Sequence, residues 1–141
     1  MSGKGIAESH VEEAALAWLA ELGYTVLGGP EIGPDGVRSE RASYRQVLLL
    51  PRIRSAIAVL NPDLPADVRD VVLAKLTQSE TPSLIDENRR LHRYLVEGVP
   101  VEVRRPDGSI GGVQVRLVDL ADPETNDWLA VNRKRCSDAL V

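Results

Sequence analysis

The fold begins with the stretch SHVEEAALAWLAELGYTVL, residues 9–27. Its first part predicts an α-helix over residues 9–22, because apolar residues recur there at helical spacing. These apolar residues are Val11, Ala14, Ala15, Trp18, Leu19 and Leu22. Gly23 is well placed to end the helix in a left-handed turn, and residues 24–27 predict a short strand. The chain therefore opens with a helix followed by a strand.

Two glutamates near the start of this helix have both a structural and a functional interpretation. Ser9 and Glu12 form the Ser-x-x-Glu pattern of a capping box, in which each side chain binds the backbone N–H of the other residue. Glu8 and Glu12 are also one helical turn apart, so both carboxylates project from the same side. Paired carboxylates are ligands that Mg²⁺ accepts. Spacing alone leaves both interpretations open.

The middle of the chain predicts a surface loop followed by a helical subregion. Residues 28–36 contain four glycines and two prolines, which favour turns, and no Gly-Lys-Ser/Thr pattern of a phosphate-binding loop follows them. Residues 44–50 are compatible with a helix, and Pro51 either kinks that helix or begins a new one. Pro65 opens a second helix. Thr81-Pro82 supplies a cap and a first-turn proline for a third, which runs to about Glu97 and is closed by Gly98.

Each of these helices carries an apolar side at helical spacing. The predicted inward residues are Ile53, Ala56, Ile57 and Leu60 in the first helix, Val68, Val71, Val72 and Leu76 in the second, and Leu84, Leu91 and Leu95 in the third. After Gly98 apolar and polar residues alternate around a Pro-Asp-Gly turn at residues 106–108, which predicts a β-hairpin. Residues 128–131 predict a short final strand, so the expected fold class is α+β.

Composition limits the class of protein. One cysteine among 141 residues excludes an internal disulfide framework, and no apolar run is long enough to span a membrane. We therefore expect a cytoplasmic protein that is not bound to a membrane. The formal net charge of −4 argues against coating of nucleic acid by bulk charge. DNA binding would need a local basic patch, and Arg89, Arg90 and Arg93 are candidates on the third predicted helix, where a solvated helix face is the alternative.

Several stretches, in one order along the chain, resemble type I restriction enzyme R (HsdR) subunits. The resemblance covers roughly residues 8–132 and is carried by residues 8–16, 22–24, 44–49, 60–62, 88–89 with 92, 97–99 with 101–103, 114–119 and 126–132. The last of these is the run Asn-Asp-Trp-Leu-Ala-Val-Asn. Each stretch is short, and their common order makes the resemblance specific.

The resemblance implies that this chain is the N-terminal part of a nuclease domain of the PD-(D/E)xK type, linked to cleavage of unmodified foreign DNA. In that type an Asp and a Glu-x-Lys bind Mg²⁺, and an acidic residue on the first helix assists. Glu12 best matches the first-helix acid, both as catalytic residue and as metal ligand, with Glu8 as the alternate. The implied partners are DNA and the methylation and specificity subunits, and ATP would be used only by the full-length subunit.

The chain departs from the family pattern after Asn132, where a strand and the Glu-x-Lys are expected and residues 133–141 diverge. We therefore predict that residues 1–132 are the N-terminal part of an incomplete restriction-endonuclease-like domain, followed by a divergent tail, and that the truncated chain is inactive alone. Two alternatives stay open. One is a noncatalytic module that binds partner subunits or DNA, and the other is a truncated gene remnant.

Overall fold

The structure, a computed structural model, describes residues 7–132 and divides the chain into two compact units. Unit 1 comprises Met1–Val47 and Asp127–Val141, of which residues 7–47 and 127–132 are described, and unit 2 comprises Leu48–Asn126. In chain order the elements are α1 (Glu8–Glu21), β1 (Thr25–Gly28), α2 (Gly29–Ile32), α3 (Leu50–Leu60), α4 (Ala66–Thr77), α5 (Leu84–Glu97), β2 (Val99–Arg104), β3 (Ile110–Val115), a 3₁₀ turn (Pro123–Thr125) and β4 (Leu129–Asn132). This mixture confirms the predicted α+β class.

Unit 1 is built on the predicted helix and strand. Gly23 ends α1 as expected, with φ of 95°. Its N–H donates to the Ala20 carbonyl at 3.1 Å, and the N–H of Tyr24 donates to the Leu19 carbonyl at 3.0 Å. These two bonds form a Schellman motif, which satisfies carbonyls that the helix leaves unpaired. The turn leads directly into β1.

A parallel pairing of β1 with β4 joins the two ends of unit 1. Thr25 pairs with Leu129 and Gly28 with Asn132. The predicted final strand therefore exists and lies beside the first strand. Leu27 and Ala130 are buried, and α1 contacts both strands. The tilted aromatic pair of Tyr24 and Trp128, with ring centroids 5.6 Å apart, lies just before the two strands begin.

Three expectations for residues 7–50 are wrong. The cap of α1 is Ala7, without a side-chain hydrogen bond, so Ser9 lies inside the first turn and the capping box is absent. The predicted loop contains the short helix α2, because Ile32 finds a buried position there. The stretch before Leu50 forms turns instead of a helix, and α3 begins at Leu50 with Pro51 in its first turn.

The apolar side of α1 is mostly exposed. Val11 is 58%, Trp18 67% and Leu22 75% exposed. The half-buried residues of this helix are Glu12, Leu16 and Leu19, which also share one side because they are four and three positions apart. Of the six apolar residues predicted at helical spacing in this helix, Leu19 alone lies on the partly covered side.

Unit 2 packs α3, α4 and α5 with the antiparallel hairpin β2–β3. The hairpin pairs Val99 with Val115 and Arg104 with Ile110, and its Pro-Asp-Gly turn has Gly108 at φ of 85°. The three helices and the hairpin that the sequence predicts for this part of the chain are therefore confirmed. The core consists of Ile57, Leu64, Val68, Val72, Leu73, Leu76, Tyr94, Val99, Val101 and Val115. The core of unit 2 therefore joins residues of all three helices to both strands.

Part of the predicted inward set in unit 2 is wrong. Val71 of α4 is 50% exposed, whereas Val68, Val72 and Leu76 are buried as expected. In α5, Leu84 and Leu95 are exposed, and Tyr94 takes the buried position. The cap of α5 is Ser83, whose hydroxyl accepts from the N–H of Asp86 at 3.4 Å, so Thr81-Pro82 precedes the cap instead of forming it.

Two asparagine side chains of unit 2 each bind the backbone N–H and carbonyl of another residue. Asn61 follows α3 and pairs with Arg116 like a strand residue, donating to its carbonyl and accepting from its N–H, both at 2.9 Å. Asn126 binds the backbone of Asp119 in the same reciprocal way, with both contacts at 2.7 Å. None of the helices within residues 7–132 has the length and apolar character needed to cross a lipid bilayer.

Candidate functional site

Glu12, the predicted catalytic residue and metal ligand, lies on the covered side of α1. It is half-buried, as are Leu16 and Leu19 on the same side, whereas Glu8 is exposed. The structure therefore separates the two candidate acids by burial. Glu12 lies on the side of α1 that is partly covered, and Glu8 faces solvent.

The ends of β1 and β4 bring together two polar residues that the sequence reasoning missed. The Glu31 carboxylate accepts from the N–H of Gly28 at 2.5 Å, and the Asn132 side-chain oxygen accepts from the N–H of Gly29 at 3.0 Å. Since parallel strands end at the same edge of a sheet, Asn132 and the β1–α2 junction meet there. The only signal for them in the sequence is that each comes at or soon after the end of a strand.

The described residues do not assemble a metal site by themselves. Among residues 7–132, no three His, Cys, Asp or Glu side chains are grouped closely enough to hold an ion. His10 and His92 are exposed on α1 and α5. Cys136, the single cysteine of the sequence, lies outside the described residues. Glu12 could supply one carboxylate to an ion and could not hold that ion without other ligands.

Arg90 is the most enclosed member of the predicted DNA-binding cluster. Its side chain is 13% exposed and makes an ion pair with Glu87 at 2.7 Å. It also donates to the carbonyls of Lys75 and Gln78, at 2.8 and 3.0 Å, and so caps the C-terminal end of α4. The guanidinium stacks over the Tyr94 ring at 5.2 Å. Arg90 therefore ties α5 to the end of α4.

Arg89 and Arg93 are the exposed members of the cluster. The guanidinium of Arg89 lies 3.5 Å from the Asp86 carboxylate in a solvent-exposed pair. With Arg90, they line an open groove of about 510 Å³ whose other residues are Glu80, Asp86, Tyr94, Glu97, Gly98, Pro100 and Gln114. Three carboxylates thus accompany three guanidinium groups in this groove. Its charge is mixed, and Arg89 and Arg93 are its exposed guanidinium groups.

Hydrogen bonds and charge lower the pKa of three carboxyl groups of unit 2, those of Glu87, Asp107 and Asp119. The hydrogen bond from Arg90 lowers the pKa of Glu87, which also accepts from the N–H groups of Glu80 and Thr81. Backbone N–H groups, that of Asp122 foremost, lower the pKa of Asp119. The carboxylate of Glu87 likewise raises the pKa of Arg90. These groups stay charged at neutral pH and act as structural anchors.

Most of the chain matches known proteins. The family model described as the type I restriction enzyme R protein N terminus matches residues 5–139. The type I restriction enzyme HindI endonuclease subunit of Haemophilus influenzae is 29% identical over 126 residues, which are 89% of this chain and 12% of the relative. A protein of Methanocaldococcus jannaschii described as the type I restriction enzyme MjaIXP endonuclease subunit is 30% identical over 123 residues, which are 87% of this chain and 12% of the relative.

The matched part is thus a small share of each relative, and no solved structure matches the chain. The family match nevertheless includes every element from α1 to β4. The chain belongs to the family of type I restriction enzyme R protein N termini.

Proposed function

We propose that this chain serves DNA cleavage by a type I restriction enzyme, as the N-terminal part of its endonuclease subunit, and that Glu12 is its catalytic carboxylate. Family membership supports the endonuclease assignment, because both relatives are named as endonuclease subunits. The single observation that favours Glu12 is its half-buried position on α1 beside Leu16 and Leu19. Glu8, its alternate, is exposed.

The cofactor of the proposed cleavage is Mg²⁺, with Glu12 as one ligand and the others outside the described residues. The sequence contains no Glu-x-Lys pattern, so we propose that residues 1–141 alone do not cleave DNA. A plasmid-nicking assay with Mg²⁺ tests this directly. Cleavage by the pure chain that disappears on Glu12→Ala substitution would show that the chain carries a complete site.

The role of Glu12 is tested in the assembled restriction enzyme that contains this region. Glu12→Gln removes a charge at nearly constant volume, and we expect cleavage to fall about 100-fold or more if the carboxylate contacts the metal. Glu8→Gln is the matched control and should keep cleavage within about threefold. ATP hydrolysis by the same assemblies reports that the subunit remains intact. Equal cleavage by the two variants would contradict the assignment.

Arg89 and Arg93 are proposed to contact the phosphates of DNA, and Arg90 to support the helix that carries them. Replacing either exposed arginine with glutamine should weaken binding to DNA duplexes of unrelated sequence by similar factors. It should also reduce the slope of log K against log salt concentration by about one, as expected for the loss of one phosphate contact. Thermal stability should not change. Arg90→Gln should instead lower stability, because Glu87 and two carbonyl groups lose their donor. An unchanged salt slope for both exposed variants would exclude the phosphate contacts.

The partners proposed from the family are DNA and the methylation and specificity subunits, with ATP used elsewhere in the full subunit and with the cytoplasm as the place of action. A noncatalytic binding module is the second candidate function, and the exposed apolar side of α1 favours it. The two candidates differ in the cleavage assay. Loss of cleavage on Glu12→Gln, with subunit assembly unchanged, supports catalysis over binding alone. A gene remnant without a role is the third possibility, and cooperative unfolding of the pure chain would count against it.

A further inference from the structure

The exposed side of α1 has the spacing of a helix-binding surface. Val11, Trp18 and Leu22 are all more than half exposed, and they follow one another by seven and four positions. Ala14 and Ala15 lie between them and are exposed as well. Anchors at such spacing form one continuous stripe along a helix, and small residues between large ones leave room for side chains of a partner. We name Val11, Ala14, Ala15, Trp18 and Leu22 the outer stripe.

The charge of α1 indicates what kind of partner fits the outer stripe. The helix contains four glutamates and neither lysine nor arginine. Glu8, Glu13 and Glu21 are exposed. Two copies of this helix packed against each other would bring like charges together, which opposes self-association. A partner whose apolar residues are bordered by lysine or arginine would bury its apolar side chains against the stripe, and its cations would be attracted to the glutamates.

We propose that the outer stripe is a docking site for an amphipathic helix of a protein partner, with basic residues on both sides of its apolar stripe. The site is distinct from Glu12, which lies on the covered side of the same helix. Docking on the outer stripe would occur whether or not the chain takes part in DNA cleavage. The outer stripe is a protein-binding surface, because phosphate-rich DNA would be repelled by the exposed glutamates Glu8, Glu13 and Glu21.

The test uses two designed helical peptides of about 18 residues, a length at which isolated helices begin to be stable. One combines leucine with lysine, and the other has the same leucine positions with glutamate. The intrinsic fluorescence of the 141-residue chain reports binding, because Trp18 is exposed and becomes shielded on docking. We expect a blue shift with the lysine peptide that saturates and weakens with added salt. The glutamate peptide should cause none.

Variants at exposed positions distinguish docking on the outer stripe from general attraction to an acidic protein. Leu22→Ser should weaken binding of the lysine peptide about tenfold or more, as expected for loss of a large apolar anchor. Val37→Ser is the matched control, because Val37 is 90% exposed in the same unit and lies outside the stripe, and it should bind like the unaltered chain. Trp18→Phe should retain the peptide in an anisotropy assay with labelled peptide and lose the blue shift.

Three results would overturn the proposal. Equal binding of the two peptides would show that charge does not select the partner. An unchanged affinity in Leu22→Ser would show that the outer stripe is not the surface used. Sedimentation of the chain as a dimer that Leu22→Ser dissociates would assign the stripe to a second copy of the chain.

Discussion

Gly98→Ala should destabilise unit 2 far more than substitution of the other glycine at positive φ in that unit. Gly98 joins α5 to β2 at φ 89° and ψ 168°, a backbone region that is almost restricted to glycine. A Cβ built there would lie 2.9 Å from the Val115 carbonyl oxygen, which is backbone and cannot rotate away. The backbone conformation costs about 1–3 kcal/mol for alanine. Relieving the overlap costs about 1–3 kcal/mol more.

Gly108 supplies the matched comparison for this prediction. Its φ of 85° is similar, but a Cβ at this turn would meet nothing within 4 Å. We expect a loss of about 1 kcal/mol for Gly108→Ala, from backbone conformation alone. Gly112→Ala, in β3, has open space and no positive φ, and should be neutral or slightly stabilising. The three substitutions thus separate the overlap from the strain.

Urea unfolding followed by far-UV circular dichroism measures these differences. A loss of about 3 kcal/mol or more for Gly98→Ala would lower the urea midpoint by about 2 M at a typical slope. Hydrogen exchange should show the change first in β2 and β3, where the carbonyl of Val115 would have to move. The reasoning is refuted if Gly98→Ala and Gly108→Ala lower the midpoint equally, since the contact with Val115 would then contribute nothing.

Two further predictions concern helix ends and acid stability. Ser83→Ala should lower the free energy of unfolding by about 1 kcal/mol, because the N–H of Asp86 loses its acceptor. Ser9→Ala, inside the first turn of α1, should leave it unchanged. Thermal unfolding of the two variants checks this, and equal losses of stability would indicate that Ser9 caps α1. Because the pKa of Glu87 is lowered in the folded chain, its stabilisation is complete above a pH of about 4.3, the usual glutamate value, and is lost as the pH falls through its folded pKa. Glu87→Gln should therefore be less stable than the unaltered chain at pH 7, with a smaller difference at pH 3, and a difference independent of pH would contradict this.

Local patterns predicted most elements of the fold because their causes are local. Gly23 and Gly98 end helices through conformations that glycine adopts easily, and alternation of valines is enough to predict β2 and β3. Cap positions were less predictable because neighbouring hydroxyls compete. Thr81 and Ser83 both precede α5, and the structure has Ser83 as the cap, while the Thr81 hydroxyl accepts from the N–H of Ser83.

Long-range features escaped sequence reasoning for a different physical reason. Helical spacing identifies an apolar side of α1 but does not say whether it is covered, and here Trp18 is exposed while Glu12 is half-buried. The three arginines of α5 look alike in sequence. Only tertiary contacts distinguish Arg90, which binds the end of α4, from its exposed neighbours. The candidate site was thus predictable as a set of residues and not as a division of roles.

The pairing of β1 with β4 has a consequence for the order of folding during synthesis. Residue 25 is made before unit 2 and its partner, residue 129, is made after it, so all of unit 2 leaves the ribosome between the two strands. Every contact in the core of unit 2 lies within this interval, so that unit can fold while β1 still waits for its partner. Within residues 7–132, β4 is the strand that pairs with β1, so that pairing is not complete until residue 132 emerges. During this interval β1 lacks the pairing with β4, and an unpaired strand edge favours strand-mediated aggregation and chaperone capture.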